Sequence, residues 1–233
     1  MSNRRNAFQT PQSNPATKFL SWKSNDKNFS YYDKESQTNV AVELPFKFLV
    51  LDELASVKGW SDKFTGSIIS NEVKFISKEN LRVKCYHKNL KGESTSTEIA
   101  SGIYKDIKEI VNTAGAKYHK SIYIMLEDGS LANIQLKGAA VQAWGNFTQK
   151  TKKRLPDEWV VVEKAIDGKK GAVKFTTPEF KFLKSLSDGE AEMADEAFNV
   201  LESYLKTYLA KAEPIVNDVE VIDEEEVIDD LEF

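Results

Sequence analysis

The chain holds a single cysteine, Cys85, so it can form no internal disulfide. Its only histidines are His87 and His119. Together these are too few for a clustered zinc site or a Cys-His nucleophile pair. No apolar run approaches the roughly 20 residues needed to span a bilayer, and the start, Met1-Ser-Asn-Arg-Arg-Asn, is polar where a secretion leader would be apolar. Neither a Walker-type phosphate loop nor a GxGxxG fingerprint is present, which argues against nucleotide hydrolysis. The one nuclease-like echo is Asp157 with Glu163 and Lys164, but adjacent strand residues face opposite sides of a sheet. These absences lead to the expectation of a non-enzymatic protein of a reducing cytoplasm, with no membrane contact, cofactor or metal.

Basic residues are missing altogether from residues 213–233, where ten carboxylates precede a terminal Phe233. Removing those ten from 36 acids leaves 26 against 32 bases, so residues 1–212 carry about +6 and the tail about −10. A mildly basic body with a strongly acidic tail suits a surface that takes a polyanion and a tail that can occupy it. A purely solubilising tail accounts for the same charges. Residues 1–28 contain Arg4, Arg5, Lys18, Lys23 and two prolines, with no acid before Asp26. They are expected to form a basic, flexible arm.

Between arm and tail, residues 29–212 are expected to form one domain. Residues 46–51, apolar on both faces, predict a central strand after Pro45. Lys58-Gly-Trp-Ser-Asp62 is expected to separate it from a strand at 64–69. Residues 81–87 alternate, with Leu81, Val83 and Cys85 on one face and Arg82, Lys84 and Tyr86 on the other, and 93–99 form a further short extended piece. Ile103, Ile107, Ile110 and Val111 define a helical stripe ending before Gly115. Glu127-Asp-Gly-Ser130 predicts a hairpin between 121–126 and 131–136, and Asp167-Gly-Lys-Lys-Gly171 a second between 159–166 and 172–177. Val141, Ala143, Trp144 and Phe147 mark a short helix with a core-facing stripe, running into a basic turn. Ser187-Asp-Gly-Glu190 has capping-box spacing and opens a long helix through Ala194, Phe198, Leu201, Leu205 and Tyr208 to Pro214. The fold class is α+β, mainly β.

Single-strand binders need cations along a phosphate backbone and aromatic faces for stacked bases. The candidates are Trp60, Phe64, Arg82, Lys84, Tyr86, Lys88, Lys91, Tyr118, Lys120 and Tyr123. Each aromatic among them also has an ordinary core reading. A second group is Lys150, Lys152, Lys153 and Arg154, which could equally stabilise a helix C-terminus. Lys169 and Lys170 sit at a hairpin tip that can reach a phosphate backbone.

Three strands, a helix and two hairpin-linked strands match the order of an OB-type barrel. With the basic arm and the ending Asp229-Asp230-Leu231-Glu232-Phe233, the chain resembles the phage-encoded single-stranded DNA-binding proteins. Bacterial relatives usually carry Pro before the last Phe, where this chain has Glu232. The resemblance implies an OB-like five-stranded barrel with an added hairpin and helices, holding single-stranded DNA without sequence preference in the host cytoplasm. It further implies that the tail masks the groove and docks replication or recombination proteins through residues 229–233. Homo-oligomerisation stays open. The competing expectation is a phage structural or scaffold protein whose long helix and tail bind a partner without nucleic acid.

Overall fold

The computed structural model describes residues 13–89, 91–149 and 151–210. They form a mainly β, α+β architecture with eleven strands in one open mixed sheet and three helices. The strands are β1 Lys18–Lys23, β2 Asn28–Asp33, β3 Thr38–Val42, β4 Phe46–Ser61, β5 Gly66–Ser70, β6 Asn80–Lys88, β7 Ser94–Ile103, β8 Ala116–Met125, β9 Leu131–Lys137, β10 Glu158–Lys170 and β11 Val173–Ser185. The helices are α1 Tyr104–Thr113, α2 Gly138–Thr148 and α3 Asp188–Ala210, and a short 3-10 turn covers Lys152–Arg154.

The main path runs β3-β2-β1-β9-β8-β4-β5-β6-β7, with β10 joining β4 and β11 joining β10. Every pairing is antiparallel except β1 with β9. The 16 residues of β4 decide this layout. One edge of β4 pairs with β8 from Leu49 to Gly59, while the other pairs with β10 at Phe46–Phe48 and with β5 at Lys58–Ser61. The sheet therefore divides into two lobes that share one strand.

Each lobe has its own core on the inward face of β4. Phe46, Phe48 and Val50 join Ile122, Ile124, Ile134, Val160, Val162 and Phe180, capped by Trp144 of α2. The first hairpin closes this side through side-chain bonds: Trp22 Nε1 donates to the Thr176 carbonyl at 2.9 Å, and the Thr176 amide donates to Ser24 Oγ at 2.7 Å. Farther along, Ala55 and Val57 join Ile68, Val83, Cys85 and Ala116 under Ile107 and Val111 of α1. On the opposite face α3 lays Leu201, Tyr204 and Leu205 over Leu54 and Tyr123, and Ala194 and Ala197 over Leu49, Met125 and Leu131. Its start is the expected capping box, with Glu190 Oε2 accepting from the Ser187 amide at 2.8 Å and Glu190 N donating back to Ser187 Oγ at 3.4 Å.

Several sequence expectations need correction. The arm assigned to residues 1–28 includes β1, which adds a parallel strand beside β9. The segment Lys58-Gly-Trp-Ser is the continuation of β4 rather than a separator. Gly59 is needed there because a Cβ would lie 2.2 Å from the Gly115 carbonyl oxygen, so glycine marks a close strand approach and not a turn. Phe64 falls in the turn before β5, not in a strand. Ile110 and Phe198, expected on buried stripes, are exposed. The hairpin at 127–130, the helix carrying Trp144 and the inward Cys85 are as expected, whereas the second hairpin turns later than 167–171: β10 runs on to Lys170, pairing Asp167 with Thr176 and Lys170 with Val173, and the turn is Gly171-Ala172.

The two cores meet at Glu53, whose carboxylate accepts from Trp144 Nε1 at 2.6 Å and pairs with Lys152 at 3.0 Å and Lys120 at 3.5 Å. Burial alone would raise its pKa; Lys120, the Trp144 bond and Lys152 together bring it below the ordinary 4.5. A carboxyl lowered in the folded state adds stability above its unfolded value, and that stability is lost as pH falls through the folded value. Glu53→Gln, which leaves the mostly buried Lys120 without its anion, should cost about 3 kcal/mol at pH 7. Urea midpoints of variant and wild type should converge as pH falls through the lowered Glu53 value if this pairing is the cause; a constant gap across pH contradicts it.

Candidate nucleic-acid interface

Directly paired residues of neighbouring strands share a face, so the ladder registers fix what stands beside what. Opposite the second core, one row reads Lys117 on β8, Lys58 on β4, Ile69 on β5, Lys84 on β6 and Glu98 on β7. The next row toward the β4–β5 and β6–β7 turns reads Trp60, Ser67, Tyr86 and Ser96. The next row in the other direction reads Ser56, His119 and Lys137. Arg82 shares the face of Lys84 and Tyr86 by alternation along β6. Six adjacent strands, about 4.8 Å apart, thus carry five cations and two half-buried aromatic rings over a width of about 24 Å. Small Ser67, itself buried, stands between the half-buried Trp60 and Tyr86.

Hydrogen bonds hold this face in shape. Lys58 Nζ donates to Gln135 Oε1 at 3.0 Å, Arg82 Nε to Glu98 Oε2 at 3.2 Å, and the Arg82 amide to Asn71 Oδ1 at 2.6 Å. His119 Nδ1 lies 3.1 Å from the Lys117 carbonyl. Burial and the ammonium of Lys58, with Lys137 adding to them, push the His119 pKa down to about 3, so the ring is neutral at physiological pH. Two acids on this face are engaged: Asp52 with Lys74 at 2.8 Å and Glu98 with Arg82 at 3.2 Å.

Four of the sequence candidates, Trp60, Arg82, Lys84 and Tyr86, fall together on this face. Lys88 lies at the far end of this face and exposed Lys91 in the following β6–β7 turn, whereas Phe64 packs against the second core on the inward side, its ring stacked on His87 at 5.2 Å with Lys63 over it. Tyr118 and Lys120 do not join them. They turn to the inward side, Tyr118 against Tyr104 and Lys120 against Glu53. Burial, then Glu53 and Tyr104, pushes the Tyr118 pKa up to about 12. Tyr123 is on the right face but only 2% exposed beneath α3.

The second basic group is also dispersed. Lys152 is held by Glu53, Arg154 forms two 2.6 Å bonds to Glu158 with its guanidinium 4.1 Å over the Phe182 ring, and Lys153 is exposed. Lys169 and Lys170 are exposed at the β10–β11 tip, as expected. Lys150 and the tail residues 229–233 lie outside the described residues. Glu163 and Lys164 go to separate partners, Lys181 and Glu179. Among the described residues no group of three or more His, Cys, Asp or Glu side chains could hold a metal ion, and no helix is long and apolar enough to cross a membrane.

Lys58, Lys117, His119 and Lys137 were missed by sequence reasoning. The signal was present as odd-numbered alternation through Lys117, His119 and Ser121, beside the even-numbered Leu54, Ser56, Lys58 and Trp60.

Burial separates the aromatics thermodynamically. Tyr123→Ala should cost about 3 to 5 kcal/mol, as for other large buried rings, while Tyr86→Ala should cost under about 1.5 kcal/mol. Chemical denaturation reads both; equal losses would mean that Tyr86 is a packing residue. Comparison with known protein families, characterised proteins and solved structures found no match to this chain.

Proposed function

We propose that the chain is a sequence-nonspecific single-stranded DNA-binding protein of a phage-like replication or recombination system, acting without catalysis. The observation that carries this reading is the one sheet face that Lys58, Lys84, Arg82, Lys117 and Lys137 share with Trp60 and Tyr86. Stacking on two rings tolerates any base and needs bases freed from a partner strand, and five cations follow the backbone.

An OB-like barrel is part of the proposal. Its five strands are β4, β8, β9, β10 and β11, with α2 between the third and fourth. What supports it is the pairing, since β8 joins β4 to β9 while β10 joins β4 to β11. The helix in that position is α2 and not α1, as the sequence order alone had suggested. The first hairpin then stands between the third and fifth strands, and β5, β6, β7 and α1 become an arm inserted after the first. In such barrels the second and third strands, with the loops after the first and fourth, take oligonucleotides. Here those loops correspond to the arm bearing Tyr86, which follows Trp60 at the end of β4, and the tip bearing Lys169 and Lys170.

The acidic tail is proposed to compete for the same face and to dock partners by its last five residues. Tyr208, two residues before the end of α3, bonds Glu72, and the neighbouring Asn71 holds the Arg82 amide. The last described turn of α3 thus lies at the border of the basic face. A scaffold role without nucleic acid is favoured by one feature, the exposed Phe198 and Val200 on α3.

Fluorescence titration with a labelled oligonucleotide separates the two readings. Single strands should bind better than duplex, and log K should fall with log salt at a slope near −3.5, about 0.7 for each of five phosphate contacts. Flat salt dependence or tighter duplex binding contradicts the proposal. Deleting residues 213–233 should tighten binding at low salt, with the gain shrinking as salt rises. An unchanged low-salt affinity would leave the tail as a solubility element.

A further inference from the structure

One corner of the basic face holds polar groups that the stacking surface does not use. Ser56, His119 and Lys137 stand side by side on β4, β8 and β9, each paired in register with the next. Lys58 and Lys117 form the adjoining row, and Lys58 Nζ reaches diagonally past His119 to Gln135. Ser56 is fully buried, and its hydroxyl has no hydrogen-bond partner. A buried hydroxyl without a partner is costly and calls for an explanation. His119 is similarly incomplete. The Lys117 carbonyl can only accept, so in the neutral ring Nδ1 carries the proton and Nε2 is left with a lone pair. The field of Lys58 and Lys137, added to burial, keeps it in that state.

Two ammonium groups and a spare hydroxyl, beside an imidazole held neutral by burial and by the two lysines, are complementary to one small oxyanion. We propose that Ser56, Lys58, His119 and Lys137 form a seat for a single phosphate group of the bound strand. The proposal rests on the single-strand reading above and assigns it one defined backbone contact. Lys58 is tied to a neutral amide, a partner that a phosphate oxygen replaces with gain of charge pairing. Its movement off Gln135 uncovers the Ser56 hydroxyl, which donates to a second oxygen, while Lys137 donates to a third. The phosphate charge offsets the two lysines, so His119 Nε2 can take a proton from solvent and donate as well. Lys117, on the same strand as His119, adds to the field from the next row. Glu53 lies on the inward side, and Asp52 is paired with Lys74, so neither supplies a competing carboxylate.

The chain contains only two histidines, which makes the test direct. The full-length protein is titrated separately with inorganic phosphate and with a thymidine oligonucleotide of about twelve nucleotides, within the range of known single-strand sites, while the imidazole NMR signals are followed. His119 should move with both ligands and gain a proton on binding; His87, out at the arm tip, should stay still in phosphate. Lys58→Gln and Lys137→Gln should each weaken phosphate binding about fivefold or more and lower the DNA salt slope by about 0.7. Lys58→Arg should retain the slope, which separates lost charge from lost folding. An unmoved His119, or an unchanged slope in both Gln variants while DNA still binds, overturns the seat and leaves the single-strand reading standing. Absence of oligonucleotide binding in the wild type overturns both.

Discussion

The two-sided use of β4 is the constraint on which the rest of the molecule depends. A strand of 16 residues is much longer than the usual five or six, and here its length is shared out among three partners. Beyond the irregularity between Val50 and Asp52, the odd residues of β4 face inward and the even ones outward. That single alternation places Ala55 and Val57 in a core and Lys58 and Trp60 on a surface. Gly59 permits the close approach to Gly115 that keeps β4 and β8 paired to the end of the strand. Without it, Trp60 and Lys117 would not lie in one continuous surface.

Rigid strands make such a surface economical for binding. Cations and rings fixed by ladder register need little ordering when a ligand arrives, whereas the same groups on loops would lose conformational freedom. Packing supplies the rigidity from behind, through α1 over the second core and α2 over the first. At the other end of the same face α3 replaces solvent over Leu54 and Tyr123. The helix thereby bounds the surface and brings its own C-terminus to Glu72, at the edge of the basic region.

Local patterns were legible in the sequence where the chemistry was local. Asp-Gly at 128–129, the Ser187–Glu190 capping pair and the inward Leu81, Val83 and Cys85 each need only neighbours along the chain. What could not be seen was long-range pairing. A one-residue difference in parity exchanges the faces of a strand, and on β8 it separates Lys117 and His119 from Tyr118 and Lys120. The latter two were chosen because they combine charge and aromaticity, while the side they face is set by Val57 and Ala55 across the ladder, far away in sequence. Gly59 misled for a related reason, since a glycine required by a close backbone approach has the same letter as one required by a turn. Tyr123 faces the expected way, and only the return of α3 over it removes it from reach.

Photocrosslinking tests most directly whether this face meets nucleic acid. An oligonucleotide carrying a halogenated uracil is bound to the full-length protein, irradiated, and the attachment sites are mapped by mass spectrometry. The account predicts adducts at Trp60 and Tyr86, suppressed by unlabelled single strand and by salt. Adducts confined to Tyr104 and Tyr118 on the opposite side of the sheet, or none at concentrations where binding is saturated, would contradict it.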